Sequence, residues 1–316
     1  MIGIAGAGAF GTALAVTLAR NGQAVTLWAR NADHIDEMAR TRRNDLRLPG
    51  VALPDNLTVS ADVGRLSGAE AVLLSLPMQA LGGFLEGEGQ GIAAPWLVAC
   101  CKGVDLHTLS GPVELIRSSC PVCRAAILTG PSFAADIARG LPTALTLAGG
   151  DGALQQLLST PTLRLYRSDD TIGAELGGAL KNVIAIAAGI VIGAGLGDSA
   201  RAALMTRGYA EMLRLALALG AKPETLAGLS GFGDLVLTCT SAQSRNFRFG
   251  QALGSGQGFD PTVTVEGSAT ARAVTAVAAR LSLDMPVTTM IAALVERKIT
   301  LPEAVQALMS RPLKQE

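Results

Sequence analysis

The chain begins as short apolar runs separated by stretches with helical spacing. Ile2–Ala5, Ala24–Ala29, Ala71–Leu76, Trp96–Cys100, Ala125–Leu128 and Ala144–Ala148 are each a handful of mostly apolar residues. Runs of that kind predict strands buried on both faces of a parallel sheet. Thr12–Arg20 and His34–Arg43 read as helices between them, and the repeated β-α alternation predicts a doubly wound α/β domain. The texture changes near Ser168-Asp169-Asp170-Thr171. Beyond it, Ile172–Ile192, Ala200–Leu219, Val265–Leu281, Val287–Glu296 and Leu301–Met309 have helical patterns, with breakers at Gly220, Pro223, Gly254–Pro261 and Pro286. The expected division is therefore 1–170, α/β, and 171–316, all-α, with no internal repeat.

The first predicted strand runs into Gly6-Ala7-Gly8-Ala9-Phe10-Gly11 and then a helix. In that context GxGxxG predicts a Rossmann-like dinucleotide site. Gly6 makes the tight turn, Gly8 lets the backbone approach a pyrophosphate, and Gly11 permits close strand–helix packing. The helix start offers unpaired N–H groups to the anion. The second strand ends at Arg30, 22 residues after Gly8. An NAD-selective site usually places an acidic residue there for the ribose 2′-hydroxyl, whereas a guanidinium suits the 2′-phosphate of NADP. Arg42 and Arg43 are expected near it. An exposed ion pair contributes only about 0.2–1 kcal/mol, so the expected preference for NADPH is modest, with NAD as the alternative cofactor.

Composition narrows the chemistry. Charges balance at 26 basic and 26 acidic side chains, which argues against nucleic acid or an anionic membrane as the partner. Hydrophobic residues make up 49%, too many for a disordered chain. The only histidines, His34 and His107, lie far apart, which predicts no metal site and leaves a Ser-His-Asp hydrolase short of a base. Proton transfer is then expected on Lys, Asp or Glu. The N-terminus lacks the basic segment of a signal peptide. The longest uncharged apolar run, Val183–Gly197, falls short of the roughly 18–20 residues of a spanning helix and reads as core, so no membrane insertion is expected. Five cysteines, an odd number, predict reduced thiols in the cytoplasm. Cys120-Pro121-Val122-Cys123 lacks a second pair and reads as structural or incidental.

Several segments in order resemble bacterial-type NAD(P)-dependent glycerol-3-phosphate dehydrogenase. They are GAGAFGTALA at 6–15, NDLRLPG at 44–50, CKGV at 101–104, TGPSFAADIARGLPTA at 129–144, GALKNVIAIAAGI at 178–190, GDSARAALMTRGYAEM at 197–212, GLSGFGDLVLTCTSAQSRNFRFG at 228–250 and VEG at 265–267. The resemblance spans nearly the whole chain. It implies reversible hydride transfer between NAD(P)H and dihydroxyacetone phosphate to give sn-glycerol 3-phosphate, supplied to glycerophospholipid synthesis by a homodimer.

Ketone reduction needs a positioned hydride donor, a cation or acid at the developing alkoxide, and an anchor for the phosphate. Lys181 opens the most apolar helical run, where burial lowers its pKa toward the working range. It resembles the family's proton-transfer lysine. Lys102 follows a strand, at the sheet edge where α/β domains bind ligands, and resembles the second lysine, touching substrate and cofactor. Asp234, after a glycine turn, is expected to hold Lys181 or a substrate hydroxyl, with Thr238 beside it. Ser244, Arg245 and Asn246 match substrate contacts, Arg245 also reaching the cofactor; a guanidinium grips phosphate bidentately. Gly130 and Ser132 match substrate contacts. Ala134, Thr264 and Glu266 match cofactor contacts, as do Ala9 and Phe10 in the glycine turn.

Two positions depart from the family pattern. Arg47 stands where Tyr is usual before Leu-Pro-Gly, replacing an aromatic contact near the cofactor with a charge. Ser199 replaces Asn in Gly-Asp-Asn-Ala, and Asp198 beside it is a candidate partner for Lys181. Two alternatives are a ketopantoate or hydroxyacid reductase of the same architecture and a non-catalytic dinucleotide sensor. The Ser-Arg-Asn trio and the Gly-Pro-Ser-Phe loop argue against the first; Lys181 and Asp234 argue against the second.

Overall fold

The computed structural model describes residues 1–309. One sheet contains β1 (Ile2–Ala5), β2 (Val25–Trp28), β3 (Leu57–Ser60), β4 (Ala71–Leu74), β5 (Trp96–Ala99), β6 (Arg124–Thr129), β7 (Thr143–Ala148) and β8 (Leu163–Ser168), in the order β3-β2-β1-β4-β5-β6-β7-β8. Between the strands run α1 (Ala9–Arg20), α2 (Ala32–Thr41), α3 (Met78–Glu86), α4 (Pro112–Ser119), α5 (Ala134–Ala138) and α6 (Gly152–Leu158). The described chain after β8 is helical: α7 (Thr171–Gly193), α8 (Gly197–Ala218), α9 (Pro223–Ala227), α10 (Asp234–Thr240), α11 (Arg245–Ser255), α12 (Glu266–Arg280), α13 (Pro286–Val295) and α14 (Leu301–Met309).

The four central strands β1, β2, β4 and β5 are buried at every position, as their unbroken apolar runs require. Ile4, Leu27, Leu73 and Val98 pack with Leu14 and Leu18 of α1 on one face. Val72, Leu74 and Leu97 pack with Leu81 of α3 and Ile116 of α4 on the other. Each such side chain contributes about 1.5–3 kcal/mol on burial, so both faces of the sheet are core. The direction of winding reverses between β1 and β4, and open α/β sheets bind ligands outside the carboxyl ends of strands at such a point.

The sheet departs from the sequence expectation in two respects. β3 and β8 are additional strands, both at sheet edges, and β6 pairs with β7 antiparallel. The antiparallel step matters for the site. β7 starts where β6 ends, so residues 130–142 turn at the ligand-binding edge. β8 runs parallel to β7 and therefore ends at the opposite edge, where α7 begins. At about 1.5 Å per residue, α7 climbs roughly 15 Å from Thr171 to Lys181, comparable to the depth of the sheet. It delivers Lys181 back to the carboxyl edge.

α7 has 23 residues, longer than the apolar run suggested, and is long and apolar enough to cross a membrane by length and composition; 89% of its most apolar window is buried in the protein. α7 and α11 cross at glycines. A Cβ on Gly189 would lie 2.1 Å from the Phe247 carbonyl oxygen, and one on Gly250 would lie 2.0 Å from that of Ile186. Such contacts exclude any side chain at those crossing points. A correction concerns the thiols. Cys120 and Cys123 are joined in a disulfide, while Cys100, Cys101 and Cys239 are free and buried. A separation of three residues across a tight turn brings the pair's Cα atoms within 5.4 Å, which counting cysteines alone did not capture.

Candidate active site

The glycine turn is built by backbone crowding. Gly6 has φ +114°, and a Cβ there would lie 2.3 Å from the carbonyl oxygen of Ser75, just past β4. A Cβ on Gly11 would lie 2.1 Å from the Gly6 carbonyl oxygen. Gly8 differs, because a Cβ there meets nothing within 4 Å. The protein does not need glycine at position 8; an approaching ligand backbone or phosphate does. Gly8 is also the N-cap of α1 and makes no side-chain cap bond, so the first-turn N–H groups remain available to an anion. The turn thus fits the pyrophosphate of a dinucleotide, with Ala9 and Phe10 as the first helical residues. Phe10, Val51 and Ala134 pack against one buried cluster of Ala13, Leu48, Ile137 and Ala138, which brings the glycine turn, the 44–50 segment and the start of α5 together.

Asn44 supports this turn. It is buried, and its Nδ2 donates to the Ala7 carbonyl at 3.0 Å and to Thr12 Oγ1 at 2.7 Å. Its Oδ1 meets His34 Nε2 at 2.9 Å. One of the two histidines therefore has a structural partner.

The second cluster lies around Asp234. Lys102 Nζ donates to Asp234 Oδ2 at 2.5 Å and to the Gly130 carbonyl at 3.0 Å. Lys181 Nζ donates to Asp234 Oδ1 at 2.9 Å and to Thr238 Oγ1 at 2.7 Å. Asp234 is 1% exposed. Burial alone would raise its pKa, but the two ammonium groups outweigh burial and hold the carboxyl below its ordinary value. Burial lowers Lys181 to about 8; Asp234 opposes that shift and Lys102 adds to it. An ammonium has three N–H donors, so each lysine has one left after these two bonds. The cluster has two positive charges and one negative, a net cation at the carboxyl edge of the sheet.

Local sequence explains why Asp234 sits there. Leu229–Gly233 is a π-helical turn leading directly into α10, rather than the free glycine turn expected. Gly233 N donates to the Gly228 carbonyl at 3.0 Å. A Cβ on Gly177 of α7 would lie 2.5 Å from the Ser230 carbonyl oxygen. Gly177 therefore lets the π turn press against α7 one helical turn before Lys181, setting the Asp234–Lys181 distance.

The remaining expected residues separate into groups. Ser132 Oγ donates to the Gly130 carbonyl at 3.3 Å, beside Lys102. Ser244 caps α11 by accepting from Phe247 N at 3.2 Å, which leaves its O–H as a donor. Arg245 is the first residue of α11 and is exposed. Asn246 turns inward, donating to Asn182 Oδ1 at 2.9 Å and accepting from Gly267 N at 2.9 Å. Glu266 accepts from Met78 N at 3.4 Å; burial raises its pKa to about 7, against the lowering charge of Arg245. Thr264, Arg30 and Arg47 are exposed. Arg42 is turned away into its own loop, donating to the carbonyls of Leu53, Pro54 and Leu57, and Arg43 pairs with Asp45. Asp198 is 81% exposed and pairs with Arg201 at 2.9 Å, so it is not a partner of Lys181. Ser199 is likewise exposed.

Sequence reasoning missed three supporting residues besides Asn44. Asn182, next to Lys181, fixes the amide of Asn246. Glu175 on α7 accepts from Val113 N at 2.6 Å, gripping the start of α4; burial raises its pKa to about 7. Thr129 ends β6 fully buried, with no hydrogen-bond partner for its hydroxyl. Asn44, Asn182 and Thr129 each lie in a segment that carries the family resemblance, the one signal that could have drawn attention to them.

Comparison with known proteins gives a consistent result. Residues 1–154 match the family model for NAD-dependent glycerol-3-phosphate dehydrogenase N-terminus, and residues 170–306 match that for its C-terminus. A glycerol-3-phosphate dehydrogenase (NAD(P)+) of Cereibacter sphaeroides is 67% identical, with 100% of both chains covered. Its counterpart in Paracoccus denitrificans is 60% identical, covering 100% of this chain and 99% of its own. The crystal structure of glycerol-3-phosphate dehydrogenase from Coxiella burnetii superposes with TM-score 0.92 at 38% identity, over 98% of each chain. A ketopantoate reductase from Ralstonia eutropha reaches 0.64 at 18% identity, covering 94% of this chain and 98% of its own, a likeness of fold alone.

Proposed function

The chain belongs to the NAD-dependent glycerol-3-phosphate dehydrogenase family, and on that premise we propose that it reduces dihydroxyacetone phosphate reversibly to sn-glycerol 3-phosphate with a nicotinamide cofactor. The observation that carries the reading is the pair of lysines on the two oxygens of one buried aspartate. The cofactor, when bound, supplies the hydride; the glycine turn with Ala9 and Phe10, and Glu266 and Ala134, hold it. Arg30, Arg47, Thr264 and Arg245 are further contacts.

Lys181 is the general acid. With a pKa of about 8 it is mostly protonated near pH 7, and its free N–H donates to the ketone oxygen as negative charge develops there. Asp234 and Thr238 hold the ammonium while it does so. The free N–H of Lys102 faces the same developing charge and keeps the cluster cationic toward a phosphorylated substrate. In the oxidising direction neutral Lys181 takes the alcohol proton. Arg245 grips the phosphate bidentately, and the second N–H of Asn246 Nδ2 is free to join it. Gly130 and Ser132 line the substrate side of Lys102, while Ser244 contributes by capping the helix that presents Arg245 and Asn246.

The proposal extends to NADPH as the preferred cofactor, supported by Arg30 standing where NAD-selective sites carry an acid. A dinucleotide unit over 1–170 and a helical substrate unit over 171–316 are supported by the change from strands to helices between Ser168 and Thr171. A cytoplasmic homodimer supplying glycerophospholipid synthesis rests on the family resemblance. The test is to mix purified protein, NADPH and dihydroxyacetone phosphate, follow nicotinamide absorbance, and assay glycerol 3-phosphate. Stoichiometric formation of the alcohol is expected; no substrate-dependent NADPH consumption would overturn the reading.

A further inference from the structure

α4 ends in Cys120-Pro121-Val122-Cys123, and the two sulfurs are bonded to each other. The proposed reaction does not use them. The turn projects from the protein: Val122 is 94% exposed, Pro121 is exposed, and both cysteines are partly exposed. The other three cysteines are buried. Burial pushes the thiols of Cys100 and Cys239 up to about 12 and that of Cys101 well above its ordinary value, which suppresses the thiolate that reacts. Sulfur chemistry from solvent is thus confined to one pair.

The pair also occupies a mechanical junction. On its C-terminal side Arg124 is fixed, with its guanidinium 3.9 Å from the Trp96 ring centroid and 2.8 Å from Asp151, and its N–H on the Pro95 carbonyl at 2.9 Å. On its N-terminal side the last turn of α4 is held by the bond from Cys120 N to the Ile116 carbonyl at 2.8 Å. The far end of α4 is gripped by Glu175 of α7, the helix that carries Lys181. The disulfide ties the free end of α4 to the fixed start of β6.

We propose that Cys120–Cys123 is a thiol–disulfide exchange site, opened by a thiol reductant and closed by a disulfide oxidant, whose state sets the mobility of α4. In the opening step a thiolate of the reductant attacks one sulfur of the bridge, and the other cysteine leaves as thiolate. A second reductant thiolate then attacks the reductant's sulfur in that mixed disulfide, and the remaining cysteine leaves as thiolate. Two electrons and two protons pass to the protein, giving two thiols, and the reductant leaves as its disulfide. The turn survives through the bond from Cys123 N to the Cys120 carbonyl at 3.1 Å, and Arg124 keeps β6 in register. The released constraint therefore falls on the last turn of α4.

The test equilibrates the full chain in buffers of graded reduced-to-oxidised glutathione ratio, quenches with N-ethylmaleimide, and reads intact mass and peptide maps. Native protein is expected to go from no label to two, on Cys120 and Cys123 only, as the ratio rises. Hydrogen exchange of α4 amides is expected to quicken about tenfold on reduction. Cys120→Ser is expected to exchange fast in every buffer. Labelling of the pair at every ratio, labelling of Cys100, Cys101 or Cys239 in the native protein, or α4 exchange unchanged between states would each overturn the proposal.

Discussion

Asp234→Asn tests the charge arithmetic of the site. Asn keeps the shape and one acceptor oxygen but removes the charge shared by Lys102 and Lys181. Lys181 sits 2.9 Å from that carboxylate. At this separation and an effective dielectric of about 20, Coulomb's law gives roughly 6 kcal/mol, or about four pKa units at 1.36 kcal/mol each. Water entry and side-chain relaxation reduce that figure. If only a third survives, Lys181 falls about 1.5 units from its value of about 8 and is largely neutral at pH 7. The variant then lacks its general acid in the reducing direction, worth about 100- to 10,000-fold. Leaving buried Lys181 and half-buried Lys102 without their counter-ion also destabilises the fold, by about 3–5 kcal/mol, so circular dichroism and NADPH binding must accompany the assay. NADPH affinity should hold, because the described side-chain partners of Asp234 are Lys102, Lys181 and Thr238, not the glycine turn. The assay is kcat/KM for dihydroxyacetone phosphate against pH. A folded variant within about tenfold of wild type, with its pH midpoint unmoved, would refute the reasoning.

Four further outcomes follow from single substitutions. Arg30→Asp should shift the NADPH-to-NADH ratio of kcat/KM up to about fivefold, since Arg30 is exposed and an exposed ion pair contributes about 0.2–1 kcal/mol; an unchanged ratio would mean that Arg30 is only a surface charge. Gly8→Ala should leave the melting temperature nearly unchanged, because its Cβ meets nothing within 4 Å, yet raise the dinucleotide KM. Gly11→Ala places a Cβ 2.1 Å from the Gly6 carbonyl oxygen and should lower stability by about 1–3 kcal/mol, read by urea denaturation. Thr129→Val should raise the melting temperature, since it removes a buried hydroxyl without a partner, a group that costs about 1–3 kcal/mol to bury.

The central strands were legible because their residues are buried on every side, and burial writes itself into sequence as unbroken apolar runs; the glycine turn was legible from the spacing of its three glycines after the first strand. β3 and β8 were not. Leu57-Thr58-Val59-Ser60 is a half-exposed edge strand, and Leu163-Arg164-Leu165-Tyr166-Arg167-Ser168 buries only Leu163 and Leu165 and leaves Arg164, Tyr166 and Arg167 exposed. The antiparallel turn from β6 to β7 has no local signature either. α10 and the π turn before it are rich in Gly, Ser and Thr, and they are helical because they pack on α7 rather than through propensity. Lys102, Lys181 and Asp234 were found as separate motifs; their meeting joins residues 132 and 53 positions apart. Asn44 and Asn182 act through partners 37 and 64 positions away, a relation that no spacing rule reaches.

The most direct test of proton transfer by Lys181 is the pH dependence of kcat/KM in both directions for the wild-type protein, which reports the free enzyme's acid or base. A group at about 8 that must be protonated for reduction and neutral for oxidation predicts opposite limbs. Dihydroxyacetone phosphate reduction should fall, and glycerol 3-phosphate oxidation should rise, as pH increases through that value. Lys181→Ala should abolish both limbs while still binding NADPH. Profiles that are flat through pH 8 in both directions, or an alanine variant that retains them, would contradict the account.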